Sequence, residues 1–142
     1  MSEDPHPSGL LDTSTVILLQ RFVDPGLLPE VPRISAITLA ELSVGPLVAT
    51  TEIERARRMA VVQQAEADFE PLAFDAAAAR AFGRVAASLR RVGRKPAARA
   101  YDALIAATAL ANDLPLYTVK PGDFTGIDEL EVVGLPHPDT SS

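Results

Sequence analysis

The chain has 142 residues, 47% of them hydrophobic, and a formal net charge of −6 at pH 7. This length and composition predict one domain with a substantial core and make disorder unexpected outside the ends. The lack of cysteine excludes disulfides and thiolate metal sites, and a histidine zinc site is not expected because His6 and His137 lie in proline-rich terminal segments.

The first half of the chain predicts two strands that each lead into a helix. Residues 1–8 are expected to form a disordered tail, and the apolar pair Leu10-Leu11 to end a buried strand before a helix that hydroxyls cap. A second strand is predicted at residues 33–37. Thr38 and Glu41 have the spacing of a capping box, and the following short helix should stop at Gly45-Pro46.

The second half alternates helices with short apolar segments. Amphipathic helices are predicted at residues 52–67 and 76–92, the latter capped by Asp75, and an alanine-rich helix at residues 100–111. Strands are predicted at residues 114–119 and 130–133, with an edge or extended segment at residues 69–74. This alternation predicts an α/β domain over residues 9–136, with a central parallel sheet flanked by helices on both faces. Residues 137–142 should be a disordered C-terminal tail.

Four acidic residues stand where predicted strands end or helices begin. They are Asp12, Glu41, Asp102 and Asp123. Each alone is also explained as a helix cap or turn residue. Together they provide only oxygen ligands, which suit magnesium or manganese and two-metal phosphodiester chemistry. No cysteine, suitably placed histidine, Gly-x-Ser-x-Gly elbow or glycine-rich phosphate loop offers another mechanism.

The distribution of charge matters more than its total. A net negative charge argues against nucleic acid, yet the chain carries two basic clusters. They are Arg55, Arg57 and Arg58, and then Arg90, Arg91, Arg94, Lys95 and Arg99. The second cluster precedes the helix that carries Asp102, and solvated helix faces are the alternative for both. With no apolar run of membrane-spanning length and no signal peptide in the N-terminal residues, we expect a soluble, cytoplasmic protein.

Four blocks of the sequence resemble the signature blocks of PIN domains, most closely those of VapC-like toxins of bacterial toxin–antitoxin modules. The blocks are residues 10–14 (LLDTS), 37–42 (ITLAEL), 101–109 (YDALIAATA) and 116–124 (LYTVKPGDF). They occur in the family's order and spacing, and the resemblance covers about residues 9–136. It implies a metal-dependent ribonuclease with an acidic pocket for Mg²⁺, or alternatively Mn²⁺. It further implies an RNA substrate, homodimerisation and inhibition by a cognate VapB-like antitoxin.

The resemblance also assigns residues to the site. Asp12, Glu41 and Asp102 match the family's first three acids, and Asp123 matches the acid of its terminal Asp-Phe pair, so these four are the expected catalytic and metal-binding residues. Hydroxyls that line the pocket are matched by Thr13 or Ser14 and by Thr118. The chain departs from the family at Lys120, where Asn or Asp is usual. This lysine points either into the pocket or to solvent.

Two other functions remain open from the sequence. One is a non-catalytic PIN-like α/β interaction protein in which the acids only cap helices. The other is a phosphatase with an aspartate nucleophile. Such an enzyme has a second aspartate two residues after the first as its general acid, and the segment Asp12-Thr13-Ser14-Thr15 lacks it. A metal-activated water that attacks an RNA phosphodiester in line is the mechanism that the resemblance favours. Single-stranded or looped RNA would be the accessible substrate.

Overall fold

A computed structural model describes residues 7–22, 24–95 and 99–139. Four strands and five α-helices follow one another along these ranges. They are β1 (Ser8–Leu11), α1 (Thr13–Ile17), β2 (Val31–Arg33), α2 (Ala36–Val48), α3 (Glu52–Asp68), α4 (Ala76–Arg91), α5 (Ala100–Ala111), β3 (Leu116–Thr118) and β4 (Val132–Gly134). Short 3₁₀ turns occur at Leu19–Arg21, Pro25–Leu27 and Pro121–Phe124.

The strands form one parallel sheet in the order β2-β1-β3-β4. Leu10 of β1 is in register with Arg33 of β2 on one side and with Leu116 of β3 on the other. Parallel neighbours require crossover connections. Helix α1 and two 3₁₀ turns lie between β1 and β2, helices α2 to α5 lie between β2 and β3, and the 3₁₀ turn Pro121–Phe124 lies between β3 and β4. The predicted α/β class with a central parallel sheet is confirmed.

Side chains alternate across β1 and β3, so each face of the sheet has its own core. Leu10 and Leu116 are buried on the face that packs against α4 and α5. Leu11 and Tyr117 are buried on the opposite face, in a cluster that includes Val16 of α1. Residues of α2 and α3 complete that second cluster. Helices therefore cover both faces, as the sequence predicts.

Helix α5 lies in the first core along most of its length. Ala103, Ala106, Ala107 and Ala109 are each at most 1% exposed. Because alanine side chains are small, α5 can pack closely against α4 and the sheet. This burial fixes the N-terminal turn of α5, and with it the position of Asp102.

The predicted start of α2 is wrong. Strand β2 ends at Arg33, and Ser35 is the N-cap whose hydroxyl accepts the Thr38 amide hydrogen at 3.1 Å. The capping box that the sequence suggested for Thr38 therefore does not form, and Thr38 lies inside the helix. Serine and threonine three residues apart both satisfy cap preferences, so the sequence alone does not separate them.

The predicted end of α2 is also wrong, since the helix continues through Gly45 and Pro46 to Val48. Its last carbonyls have partners on α3. Arg58 donates to the Gly45 oxygen at 3.0 Å, and Arg55 donates to the Pro46 oxygen at 3.3 Å. Arginine donors at a helix C-terminus satisfy the carbonyls that lack intrahelical partners and so stabilise this last turn.

The segment 69–74, predicted as an edge or extended segment, contributes a single parallel bridge between Leu72 and Ser35. Strand β1 begins at Ser8, within the predicted N-terminal tail, while residues 1–6 and 140–142 of the predicted tails lie outside the described residues. Asp139 is described and forms an ion pair with Arg21. In the described ranges, none of the helices is long and apolar enough to cross a bilayer.

Alanine substitutions at two glycines would test the packing of this fold. A Cβ on Gly9 would lie 2.5 Å from a ring carbon of Tyr117, whereas a Cβ on Gly83 of α4 would meet nothing within 4 Å. We expect Gly9→Ala to lower the free energy of unfolding by about 1–3 kcal/mol through overpacking. Gly83→Ala should raise it by about 0.5–1 kcal/mol, because alanine is the better helix former. Denaturant titration measures both, and equal effects would contradict the packing described at Gly9.

Candidate active site

Asp12 lies directly after β1, at the carboxyl edge of the sheet, and only 3% of it is exposed. Both of its carboxylate oxygens are hydrogen-bonded. Oδ1 accepts from the Thr15 amide at 3.2 Å and from the Thr15 hydroxyl at 2.5 Å, and Oδ2 accepts from the Thr118 hydroxyl at 2.7 Å. These bonds satisfy a buried carboxylate and fix its orientation.

The two threonines also join separate elements. The Thr15 hydroxyl accepts the Val119 amide hydrogen at 3.1 Å, and the Thr118 hydroxyl accepts that of Lys120 at 2.9 Å. Helix α1 and the end of β3 are thereby connected around Asp12. Thr118 was expected from the sequence to line the pocket. Thr15 was missed, although a hydroxyl three residues after an N-cap aspartate is a recognisable signal.

Glu41 lies on α2, one turn after Thr38, and meets α1. The Thr13 hydroxyl donates to Glu41 Oε1 at 2.5 Å and lies 3.1 Å from the Thr38 hydroxyl. Thr13, expected as a pocket hydroxyl, thus holds the glutamate. Ser14, the alternative pocket hydroxyl, lies in α1, and its backbone carbonyl accepts the Leu18 amide hydrogen.

Asp102 and Asp123 meet at a shared arginine. Asp102 lies in the first turn of α5, and Asp123 lies in the 3₁₀ turn after β3. Arg99 Nη1 is 2.8 Å from Asp123 Oδ1 and 3.7 Å from Asp102 Oδ2. Both aspartates are about three-quarters buried, while the arginine is half-exposed.

The charges of the four acids interact. Burial raises the pKa of Asp102 to about 6, and the negative charges of Asp123, Asp12 and Glu41 add to the effect, which Arg99 opposes. Burial also raises the pKa of Asp12, against the hydrogen bonds from Thr15 and Thr118, with a further contribution from the charge of Asp123. The four acids that the sequence singled out therefore share one electrostatic environment.

Helix capping explains one of these acids. Asp12 is the N-cap of α1 and accepts the Thr15 amide hydrogen. The N-cap of α2 is Ser35, and that of α5 is Arg99, so Glu41 and Asp102 lie inside their helices. Asp123 lies inside its 3₁₀ turn. The capping alternative consequently leaves three of the four acids unexplained.

The donor set suits a hard divalent cation in chemistry but not yet in geometry. Carboxylate oxygens are the ligands that Mg²⁺ and Mn²⁺ prefer. Yet within the part of the chain that the structure describes, no three acidic or histidine side chains converge closely enough to hold an ion. Asp12 is occupied by two threonines and Asp123 by Arg99. In this structure the four acids are therefore a set of oxygen donors rather than a formed metal site.

Basic side chains border the acids on one side. A small recess contains both Asp102 and Asp123, and its wall includes Arg94, Lys95 and Arg99. Arg94 donates to the Thr125 carbonyl at 2.6 Å. Lys120, the departure from the family pattern, is exposed and is not among the residues that line this recess. Of the two orientations left open by the sequence, the one towards solvent is favoured.

A wider groove lies on the other side, between α1, α2 and α3, with a volume of about 550 Å³. Thr13 and Glu41 stand in its wall, so it reaches the acid cluster. Its lining combines apolar side chains with three arginines. The lining residues are Thr13, Ile17, Leu18, Arg21, Glu41, Leu42, Gly45, Glu54, Arg57, Arg58 and Val61.

Comparison with known proteins places the chain among nucleases. Residues 10–120 match the sequence profile of the PIN domain. The chain is 39% identical over 130 residues to Ribonuclease VapC5 of Mycobacterium tuberculosis, covering 90% of this chain and 93% of that protein. It is 34% identical over 102 residues to Ribonuclease VapC4 of the same organism, covering 72% and 75%. The crystal structure of VapBC-5, from a toxin–antitoxin system of M. tuberculosis, superimposes with a TM-score of 0.79 at 36% identity, covering 91% and 99%.

The raised pKa of Asp102 predicts how stability depends on pH. Since its folded pKa is about 6 and its ordinary value is 3.8, the folded state binds the proton more tightly. With chelator present, stability should therefore fall as pH rises from about 4 to about 6. The part due to Asp102 is about 1–2 kcal/mol, less than the full shift implies because solvent screens this half-buried group.

Asp102→Asn removes this titration. The variant should be more stable than the wild type above about pH 6 and lose that advantage near pH 4. Thermal or urea unfolding across the range measures the difference between the two proteins. Parallel stability curves would mean that burial and the neighbouring carboxylates do not raise the pKa of Asp102 in the folded protein.

Proposed function

The chain belongs to the PIN-domain family, and from that premise we propose that it is the VapC-like toxin of a toxin–antitoxin pair. It is a ribonuclease that a VapB-type antitoxin neutralises. The observation that supports this most strongly is the shared electrostatic environment of Asp102, Asp12, Glu41 and Asp123 at the carboxyl edge of a parallel sheet. Ligand and active sites of open α/β sheets lie at that edge.

We propose that Asp12, Glu41, Asp102 and Asp123 hold Mg²⁺ or Mn²⁺ and are the catalytic residues. When bound, such a cation would supply Lewis-acid chemistry, polarising the phosphodiester and lowering the pKa of water. The protein's part is to keep the carboxylates in place. Asp12 is fixed by three hydrogen bonds from Thr15 and Thr118, so its orientation is set before a cation arrives.

Glu41 is placed in the same way from the neighbouring helix. Its hydrogen bond from Thr13 connects α2 to α1. The mutual repulsion of four carboxylates supports a cation site, because a divalent charge removes the cost of bringing them together. Thr13 and Thr118 are therefore proposed as the hydroxyls that orient ligands.

We propose RNA, single-stranded or looped, as the substrate. Arg94, Lys95 and Arg99 border the recess that contains Asp102 and Asp123. Basic side chains beside a cleavage centre bind the phosphates on either side of the cleaved bond and so position the strand. The negative total charge is compatible with this, because phosphate contacts depend on the local cluster rather than on the sum.

The antitoxin has a candidate surface in the groove between α1, α2 and α3. The lining of the groove combines apolar side chains with Arg57 and Arg58, and it includes Glu41. A segment bound there would reach the acids and block them. We also propose a homodimer in the cytoplasm; the exposed apolar side chains of Val44, Leu47 and Ile53 are candidates for burial in either interface.

Cleavage of RNA tests the proposal. The purified protein should cut a structured RNA with unpaired loops when Mg²⁺ or Mn²⁺ is present and should stop when a chelator is added. Asp102→Asn should lower the rate at least about 100-fold, the scale of losing a group that stabilises transition-state charge. Asp75→Asn is the matched control, because Asp75 only caps α4 by accepting the Ala78 amide hydrogen.

The contrary outcome is equally clear. Equal cleavage by Asp102→Asn and Asp75→Asn, or cleavage that persists in chelator, would contradict a metal-dependent acid cluster. Absence of any cleavage by the wild type across both metals would favour the non-catalytic interaction protein that the sequence left open.

Metal should also stabilise the fold, independently of any substrate. A cation that binds only the folded state adds about 2.7 kcal/mol when its concentration is about 100 times its dissociation constant. The melting temperature of the wild type should therefore rise with Mn²⁺, and that of Asp102→Asn should rise much less. An unchanged melting temperature of the wild type in millimolar Mn²⁺ would contradict the site.

A further inference from the structure

Arg99 occupies the position of a counter-ion within the acid cluster. Its guanidinium is 2.8 Å from Asp123 and 3.7 Å from Asp102, the two acids of the cluster that no threonine holds. The other two, Asp12 and Glu41, are held by hydroxyls from Thr15, Thr118 and Thr13. Among the described residues, Arg99 is thus the cation that forms ion pairs with acids of the cluster.

The electrostatics explain why a cation is needed there. Burial raises the pKa of Asp102, three neighbouring carboxylates raise it further, and the positive charge of Arg99 lowers it. Four carboxylates and one guanidinium leave the cluster negative, so a divalent cation is attracted and competes with the arginine for Asp123. The guanidinium 2.8 Å from Asp123 Oδ1 opposes the cation in two ways, because it uses an acceptor site of that oxygen and repels a second positive charge.

The contacts of Arg99 allow its side chain to leave the two aspartates. It is half-exposed, whereas its two partners are about three-quarters buried. It begins α5 as the N-cap residue, and its side chain makes no capping hydrogen bond, so moving it leaves the helix intact. Once released, it would stand on the wall of the recess beside Arg94 and Lys95.

We propose that Arg99 changes partners during the reaction cycle. Without a divalent cation it pairs with Asp123 and Asp102 and keeps the metal site closed. With the cation bound, the guanidinium turns from the carboxylates to a phosphate of the RNA strand and positions it. Arg99 is therefore both a competitor of the metal and a positioning residue for the substrate. This inference rests on the proposed function of the same site.

Arg99→Met tests both parts, because methionine removes the charge and adds no oxygen ligand. Calorimetric titration with Mn²⁺, without RNA, should give a dissociation constant about fivefold lower than that of the wild type, the scale of a half-exposed ion pair. Arg99→Lys, which retains a positive charge, should restore most of the wild-type value. At saturating Mn²⁺, Arg99→Met should raise KM for RNA more than it lowers kcat.

Arg94→Met is the matched control for metal binding. Arg94 lines the same recess, but it donates to the carbonyl of Thr125 rather than to a carboxylate. Its loss should change the Mn²⁺ affinity much less than the loss of Arg99.

Two results would overturn the proposal. The first is that Arg99→Met binds Mn²⁺ with the same affinity as the wild type, or with the same affinity as Arg94→Met. The second is that Arg99→Met binds Mn²⁺ more tightly but has the KM of the wild type for RNA. If the wild-type protein binds Mn²⁺ and cleaves RNA, either result refutes only the role of Arg99 and leaves the proposed function standing. A wild type that neither binds Mn²⁺ nor cleaves RNA refutes the proposed function and the role of Arg99 with it.

Discussion

The buried carboxylate of Asp12 imposes the constraint on which the candidate site depends. A carboxylate that is 3% exposed must have partners for both oxygens, because an unpaired buried charge costs several kcal/mol. The partners come from α1 and from the end of β3, through Thr15 and Thr118. These hydroxyls accept amide hydrogens of Val119 and Lys120 in turn. The Asp12 side chain therefore connects β1 and α1 to the end of β3, which is one of the two central strands of the sheet.

The other acids reach Asp12 through packing rather than through bonds to it. The small alanines of α5 allow that helix to lie in the core, which places Asp102 at the sheet edge. Ser35 starts α2 directly after β2, which places Glu41 beside Thr13 of α1. Removing a hydroxyl from such a network leaves its partner unsatisfied, at a cost of about 1–3 kcal/mol. Threonine hydroxyls therefore hold Asp12 and Glu41, whereas Asp102 and Asp123 are paired with Arg99.

Much of this arrangement was predictable from the sequence, and the exceptions have physical reasons. Helices α3 and α4 lie within about one residue of their predicted bounds because local propensity agrees with the caps Thr51 and Asp75. Helix α5 has its predicted bounds through its alanine-rich composition, since its N-cap Arg99 makes no capping hydrogen bond. The start of α2 was not predictable, since Ser35 and Thr38 are equivalent caps, nor was its end, where arginines of α3 satisfy the carbonyls of Gly45 and Pro46.

Within the site, the four acids were found by their places beside strands and by resemblance. Their assigned roles in metal binding and catalysis remain predictions. The ion pair of Arg99 with Asp123 joins residues 24 positions apart across two turns, and no local pattern encodes it. The role of Thr15 was not predicted because this residue lies one position beyond the first family block, which ends at Ser14.

The most direct test of the account is a crystal structure of the protein grown with Mn²⁺, with anomalous scattering used to locate the metal. The account predicts an anomalous peak among Asp12, Glu41, Asp102 and Asp123, with the Arg99 guanidinium turned away from Asp123. A structure with no peak at the acids in saturating Mn²⁺, or with a peak elsewhere and Arg99 still paired to Asp123, would contradict it.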